Sequence, residues 1–276
     1  MRLTHNMFSL SIYKSYKNQL VDNAKASNNV GTGSKLNSAK DNPGKIGENE
    51  TLKIQVLTND AASKNVQNTN SMLQTFDGAL GNINDDLARM KELTVNAGSG
   101  TLTDSDKKDI QTEIDSIKLG IDSLANNTDF NGVKLSNSNL TGNATSSIKT
   151  TIGNMDGESM DIPFYNVSAE NLGVGNLDIS NNVDSANEAV DKAIDMVSKI
   201  RGHYGSIQNQ LEGTADYLSS KDINIQTTQS SIGDADIATE MTQYSKSQVL
   251  IQASIALMAQ SNNFPKDALN ILANVK

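Results

Sequence analysis

The stretch VQNTNSMLQTFDGALGNINDDLARM, residues 66–90, decides the fold of this chain. Eight positions in this stretch, seven of them apolar, follow one another in alternating steps of three and four residues. This is the spacing of a heptad seam along one face of an α-helix. The seam positions are Val66, Thr69, Leu73, Phe76, Leu80, Ile83, Leu87 and Met90. We therefore expect a long helix that packs side by side with at least one other helix.

Two later segments have the same spacing. The first has its seam at Ile110, Ile114, Ile117, Ile121 and Leu124. Thr103 and Asp106 are spaced as a capping box at its start. The second has its seam at Val183, Ala186, Val190, Ala193, Val197, Ile200, Tyr204, Ile207, Leu211, Thr214 and Leu218. A helix of about 50 residues extends about 75 Å, so these segments predict a helical rod.

The segment between these helices, about residues 126–180, is polar and rich in Asn and Gly. Apolar residues alternate on both sides of the turn sequence NMDG, which is typical of a β-hairpin. They are Ile148 and Ile152 before the turn and Met160, Ile162 and Phe164 after it. We predict a mainly α fold: a long antiparallel coiled-coil helical rod from the N- and C-terminal segments, with a small β-hairpin element in the middle.

The composition supports helices and excludes several kinds of site. Hydrophobic residues make up 36% and aromatic residues 4% of the 276 residues, which suits helices that each bury only a stripe. The net charge of −9 argues against nucleic acid as a partner. Absence of Cys excludes disulfides and thiolate sites. No run is apolar and long enough for membrane insertion, and no signal peptide is visible.

We predict no catalytic, cofactor-binding or metal-binding residue. GTGSK at residues 31–35 lacks the spacing of a P-loop, and no HExxH motif is present. The two histidines, His5 and His203, are far apart in sequence, and His203 is expected on a solvated helix face. The pattern therefore indicates a protein that is not an enzyme and that needs no cofactor.

The stretch QVLIQASIALMAQ, residues 248–260, is uncharged and apolar on more than one face of a helix. We expect one stripe of it, Gln248, Ile251, Ile255 and Met258, to pack against the N-terminal helix of the same chain. Val249, Leu250, Ala253, Ala256 and Leu257 then remain for neighbouring subunits. Ala253, Ala256 and Ala259 form a seam of small residues that allows neighbouring helices to approach closely.

Several motifs, in order, resemble bacterial flagellin, the subunit of the flagellar filament. They are GSKLNSAKDNPG, LARMKELTVNA at residues 87–97, IQTEI at 110–114, FNGVKL at 130–135, IGNMDGESMDI, and the closing SSIGDADIATEMTQYSKSQVLIQASIALMAQSNNFPKDALNIL. The sequence departs from the family pattern at Asn42-Pro43-Gly44, which leaves the geometry of that joint open.

The resemblance implies an inner-tube domain of residues 1–40 with 235–276, and a rod domain of residues 41–234 that includes the hairpin segment. Large outer domains are not expected, because the middle is short. It also implies polymerisation into an extracellular bacterial flagellar filament after secretion by the flagellar type III export apparatus. The implied partners are other copies of the chain, an export chaperone, a cap protein and hook-associated proteins.

The resemblance also implies two sets of site residues. The assembly set is Leu3, Met7, Leu10, Ile12, Val249, Leu250, Ile251, Ala253, Ile255, Ala256, Leu257 and Met258. The second set, Arg89, Leu93 and Glu113, corresponds to positions through which a host Toll-like receptor recognises flagellins, although packing between subunits is an alternative role for the same side chains. Two other functions stay open: a hook–filament junction protein, and a secreted enzyme with flagellin-like ends, for which residues 126–180 are a short insert without metal ligands.

Overall fold

The computed structural model describes residues 6–135, 146–153, 157–179 and 182–273. The elements, in chain order, are α1 (Met7–Thr32), α2 (Pro43–Ala97), α3 (Asp104–Asn127), β1 (Asp129–Phe130), β2 (Val133–Lys134), β3 (Ser146–Thr151), β4 (Ser159–Phe164), α4 (Val183–Gly233) and α5 (Ile237–Ala273). Long helices with small antiparallel strand pairs confirm the predicted fold class.

The chain divides into two compact units. One comprises Met1–Ile54 and Asn224–Lys276, and the other comprises Gln55–Ile223. The tube and rod domains expected from the resemblance, with borders at residues 40/41 and 234/235, stay a prediction.

The second unit has its core along α2. All eight seam positions predicted for residues 66–90 are buried, and the predicted seam of α4 from Ala186 to Leu211 is buried as well. Phe76 packs edge-on against Phe164 of β4, with ring centroids 5.7 Å apart. Ion pairs join α2 and α4 at Lys91–Asp191 and Arg201–Asp77. Helical stripes and one strand face therefore share a single core.

Helix starts follow the predicted capping chemistry. The Thr103 hydroxyl accepts from the Asp106 N–H, and the Asp106 carboxylate accepts from the Thr103 N–H at 2.9 Å. These bonds from Thr103 lower the pKa of Asp106. At the joint that the sequence left open, Pro43 is the first residue of α2, and the side-chain oxygen of Asn42 accepts from the N–H of Lys45 at 3.2 Å. Proline is favoured at this position because a backbone N–H in the first turn of a helix has no intrahelical partner, so its absence costs nothing.

The predicted β-hairpin is β3 paired with β4, in the register that places Ile148 opposite Ile162. Met160, Ile162 and Phe164 are buried, as their alternation predicts. Most of the expected NMDG turn, residues 154–156, lies outside the described residues. A second, shorter hairpin joins β1 and β2 through Asn131 and Gly132. Both residues have positive φ, as the Asn-Gly signal predicts.

Candidate assembly surface

Helices α1 and α5 pack against each other through polar side chains. The side-chain amide of Asn6 donates to the backbone oxygen of Ser261 at 2.9 Å and to its hydroxyl at 3.0 Å. Asn23 donates to the Ser247 hydroxyl at 3.0 Å. Asn29 donates to the Glu240 carboxylate at 3.0 Å. We call this line of contacts the polar seam.

Serines occupy the α5 side of the polar seam at every seventh position. Ser247, Ser254 and Ser261 are all buried, and Ile251 and Met258 between them are half-buried. Gln248 and Ile255, which the sequence placed on this stripe, are exposed instead. The predicted stripe is therefore wrong at Ile255, because small serines let the helices approach closely and turn that apolar residue outward. Gln248, although exposed, still contacts α1, because its side-chain oxygen accepts from the Asn23 amide at 3.3 Å.

The outward faces of α1 and α5 carry large apolar side chains. On α1 these are Met7, Phe8, Leu10, Tyr13, Leu20 and Val21; on α5 they are Ile237, Met241, Val249, Leu250, Ile255, Leu257 and Phe264. Monomeric soluble proteins rarely expose apolar patches of this kind, and such patches mark interaction sites. The pair is polar along its seam and apolar on its outer faces, the reverse of an ordinary helix pair.

The predicted assembly residues divide between these two locations. Met7, Leu10, Val249, Leu250, Ala253, Ile255, Ala256 and Leu257 are exposed, whereas Ile12, Ile251 and Met258 are half-buried. Leu3 lies outside the described residues. The structure adds exposed residues that the sequence reasoning missed, above all Phe8 and Phe264.

A short backbone pairing, which we call the clasp, joins the end of α1 to the start of α5. The Lys35 N–H donates to Gly233 O at 2.9 Å, and the Ala235 N–H donates to Gly33 O at 2.8 Å. These bonds form an isolated antiparallel bridge between Ser34 and Asp234. Gly33 has φ +70, a left-handed conformation that glycine adopts at low cost after a helix.

Two protein-family models match this chain. The bacterial flagellin N-terminal helical region matches residues 3–141, and the bacterial flagellin C-terminal helical region matches residues 187–272. The chain belongs to the bacterial flagellin family. The stated resemblance is therefore confirmed. The N-terminal region includes α1, and the C-terminal region includes α5 up to residue 272.

Relatives extend this likeness over the whole flagellin chain. A flagellin of Bacillus subtilis (strain 168) is 32% identical, over 99% of this chain and 100% of the relative. A flagellin of Halalkalibacterium halodurans is 29% identical, with the same coverage. Among solved structures, a proposed flagellar hook-associated protein from Vibrio parahaemolyticus matches with a TM-score of 0.59 and 18% identity. The match covers 70% of this chain and 100% of the Vibrio chain. At this identity it supports the fold alone.

The residues that the resemblance predicts for receptor recognition differ in exposure. Arg89 of α2 and Glu113 of α3 are exposed and form an ion pair, with Nη2 to Oε1 at 2.8 Å and Nε to Oε1 at 3.1 Å. Glu92 contacts the same guanidinium. Leu93 is only 4% exposed, so its side chain packs in the core.

The described part of the flagellin chain offers no metal-like cluster. Across residues 6–135, 146–153, 157–179 and 182–273, no group of three or more His, Cys, Asp or Glu side chains is arranged to hold a metal ion. His203 is exposed, as predicted, with Nδ1 2.9 Å from the Tyr165 hydroxyl. His5 lies outside the described residues. Within the same ranges, no helix has the length and hydropathy that a membrane span needs.

Proposed function

We propose that this flagellin polymerises through the outward apolar faces of α1 and α5, each of which packs against other copies of the chain. As a member of its family, the chain is a structural subunit of the bacterial flagellar filament, an extracellular component. A structural rather than a catalytic role follows from the same family membership.

The observation that carries the proposal is the reversed polarity of the α1–α5 pair. Burial of apolar area is the main favourable term in protein association. Here that area lies outside the polar seam, with Phe8 67% exposed in the isolated chain. The pair therefore gains most of its hydrophobic stabilisation only when neighbouring copies cover it, which couples its stability to polymerisation.

A groove on α5 supports such a contact. It has a volume of about 630 Å³. Its lining residues are Met241, Thr242, Ser245, Lys246, Val249 and Leu250. The proposed occupant is an apolar side chain from α1 of a second copy, because α1 exposes such side chains between Met7 and Val21.

Export and capping partners complete the proposed function. We propose that the chain leaves the cell through the flagellar type III apparatus, with an export chaperone, and adds to the filament beneath a cap protein, next to hook-associated proteins. Relatives named flagellin that align with 99% of this chain support a filament subunit over the junction alternative.

Deletion of residues 250–276 tests the assembly proposal. It removes the outward residues from Leu250 onward and about two-thirds of α5, so we expect a helical chain that does not polymerise. Electron microscopy of the purified protein, with the parent chain as control, shows the outcome. Filaments from the truncated chain would refute the proposal.

Host-receptor recognition is a second candidate, supported by the exposed Arg89–Glu113 pair. Because Leu93 is buried, we restrict the direct contacts to Arg89 and Glu113. Arg89→Asp should weaken binding of the soluble chain to a flagellin-sensing Toll-like receptor. The matched control is Arg201→Asp, which breaks the ion pair with Asp77 instead. Equal binding by both variants would contradict this assignment.

A further inference from the structure

We infer that Asn6, Asn23 and Asn29 are positioning residues that, together with the clasp, set the register of α1 against α5. Through the register, they determine which apolar residues the pair presents to neighbouring copies. This second step rests on the proposed polymerisation, whereas the register itself is a property of the single chain.

The serine repeat does not define a register by itself. Ser247, Ser254 and Ser261 recur at every seventh residue, so sliding α5 by one heptad brings a serine to a position that another serine has left. Serines are also small, and they supply no pattern of large side chains that a shift would disrupt. A seam with the same small residue at every seventh position therefore tolerates slippage, unlike a seam in which large side chains interlock.

The asparagines break this equivalence at the two ends of the seam, because the row of polar partners that begins at Glu240 ends at Ser261. A slip of one heptad in one direction brings Asn6 opposite position 268, which is alanine. A slip in the other direction brings Asn29 opposite Gly233. Each shift leaves one amide without its side-chain partner, and Asn29 is 3% exposed, where an unpaired polar group is costly.

Asparagine at a helix–helix seam is known to specify register at some cost in stability. In this chain the consequence of a slip is large, because seven residues displace the helices by about 10 Å. Outward residues on the two helices, such as Phe8 on α1 and Val249 on α5, would then be displaced along the helix axis relative to each other. A slipped subunit is folded but unable to match its neighbours.

Cysteine cross-linking measures the register directly, since the chain contains no cysteine. Ser9 and Asn262 lie opposite each other, with Oγ and Oδ1 3.3 Å apart. Ser9→Cys with Asn262→Cys therefore reports the observed register. Ser9→Cys with Ile255→Cys or with Leu269→Cys reports a slip of one heptad in either direction. Intramolecular disulfides are separated from intermolecular ones by non-reducing electrophoresis, on soluble and polymerised full-length chain.

The test variant carries Asn6→Leu, Asn23→Leu and Asn29→Leu together. We expect only the first cysteine pair to cross-link in the parent, and the slipped pairs to gain cross-linking in the variant. The critical concentration for polymerisation should rise at least about ten-fold, with no fall in the melting temperature of the helices, because leucine adds apolar seam contacts. The control is Asn18→Leu with Asn28→Leu, both at exposed α1 positions, which should keep the parent register.

Three results would overturn the inference. One is that the triple variant cross-links only in the parent register. Another is that the triple variant loses both polymerisation and melting temperature, which indicates that the asparagines only stabilise the helix pair. If the triple variant does not fold, Asn23→Leu replaces it, and a joint loss of polymerisation and melting temperature in that variant overturns the inference equally. The third is that the parent with Ser9→Cys and Asn262→Cys forms no intramolecular disulfide in either state. Failure of the parent chain to polymerise refutes the proposed function instead, while cross-linking of the soluble chain still decides the register.

Discussion

Replacing Phe8 by alanine tests how much the outward face of α1 contributes to polymerisation. Phe8 is 67% exposed, so a neighbouring copy has most of its ring left to bury. Full burial of such a side chain is worth about 1.5–3 kcal/mol, and two-thirds of the upper value is about 2 kcal/mol. At about 1.4 kcal/mol for each factor of ten, Phe8→Ala should raise the critical concentration for polymerisation about 30-fold.

The critical concentration is measured as the protein that stays soluble after filaments are pelleted at steady state. Asn18→Ala, at another exposed α1 position, is the matched control and should stay within about two-fold of the parent. Phe8→Leu, which keeps an apolar side chain, should fall between control and test. If Phe8→Ala behaves like Asn18→Ala while its helix content is unchanged, the outward face of α1 is not an assembly contact.

Three further predictions concern the core, a cap and the small-residue face. Phe76→Ala removes a fully buried ring that packs on Phe164. The free energy of unfolding, measured by urea denaturation, should fall by about 3–5 kcal/mol. A fall below about 1 kcal/mol would contradict the core assignment. Because folding lowers the pKa of Asp106, its cap stabilises the fold above the unfolded-state value of about 3.9, and this contribution is lost as the pH falls through the lower folded-state pKa. Asp106→Asn should weaken that acid dependence in melting curves, and unchanged curves would argue against it. Ala256→Phe, at an exposed α5 position, should block filament formation by preventing close approach of a neighbour; filaments seen by electron microscopy would count against that contact.

The spacing of apolar residues, in steps of three and four along the helices and two along the strands, made most of the second unit predictable. Leu73, Leu80 and Leu87 lie on one stripe of α2, which must be covered by neighbouring elements to leave water. All three side chains are fully buried. The Thr103–Asp106 cap and the Asn131-Gly132 turn were predictable for a similar reason, because each depends on residues close together in the chain.

The polar seam was not predictable from periodicity, since the rule that apolar residues face the partner helix is reversed there. Ser254 is buried and its neighbour Ile255 is exposed. Only the hydrogen bonds to a helix more than 200 residues away in the chain reveal which face is internal. Outward residues such as Phe8 and Phe264 stay largely exposed in the described part of the chain, so packing within one subunit does not explain their apolar character.

The segment after β4 was also missed. Val167, Leu172, Val174 and Ile179 are buried without helical or strand periodicity. Side chains of α3 hold its backbone: Asp122 accepts from the Ala169 N–H at 2.8 Å, and Lys118 donates to Leu177 O at 2.9 Å. Irregular segments of this kind depend on long-range partners, which local sequence does not identify.

The clasp at Gly33–Lys35 and Gly233–Ala235 has a mechanical consequence. Its two backbone hydrogen bonds run in opposite senses between the segment that leaves α1 and the segment that enters α5. A pull on either helix therefore loads both bonds in shear, and the partner helix carries part of the force. Tension applied to one end of the polypeptide is thus shared with the other end, so the two termini resist extraction as one element.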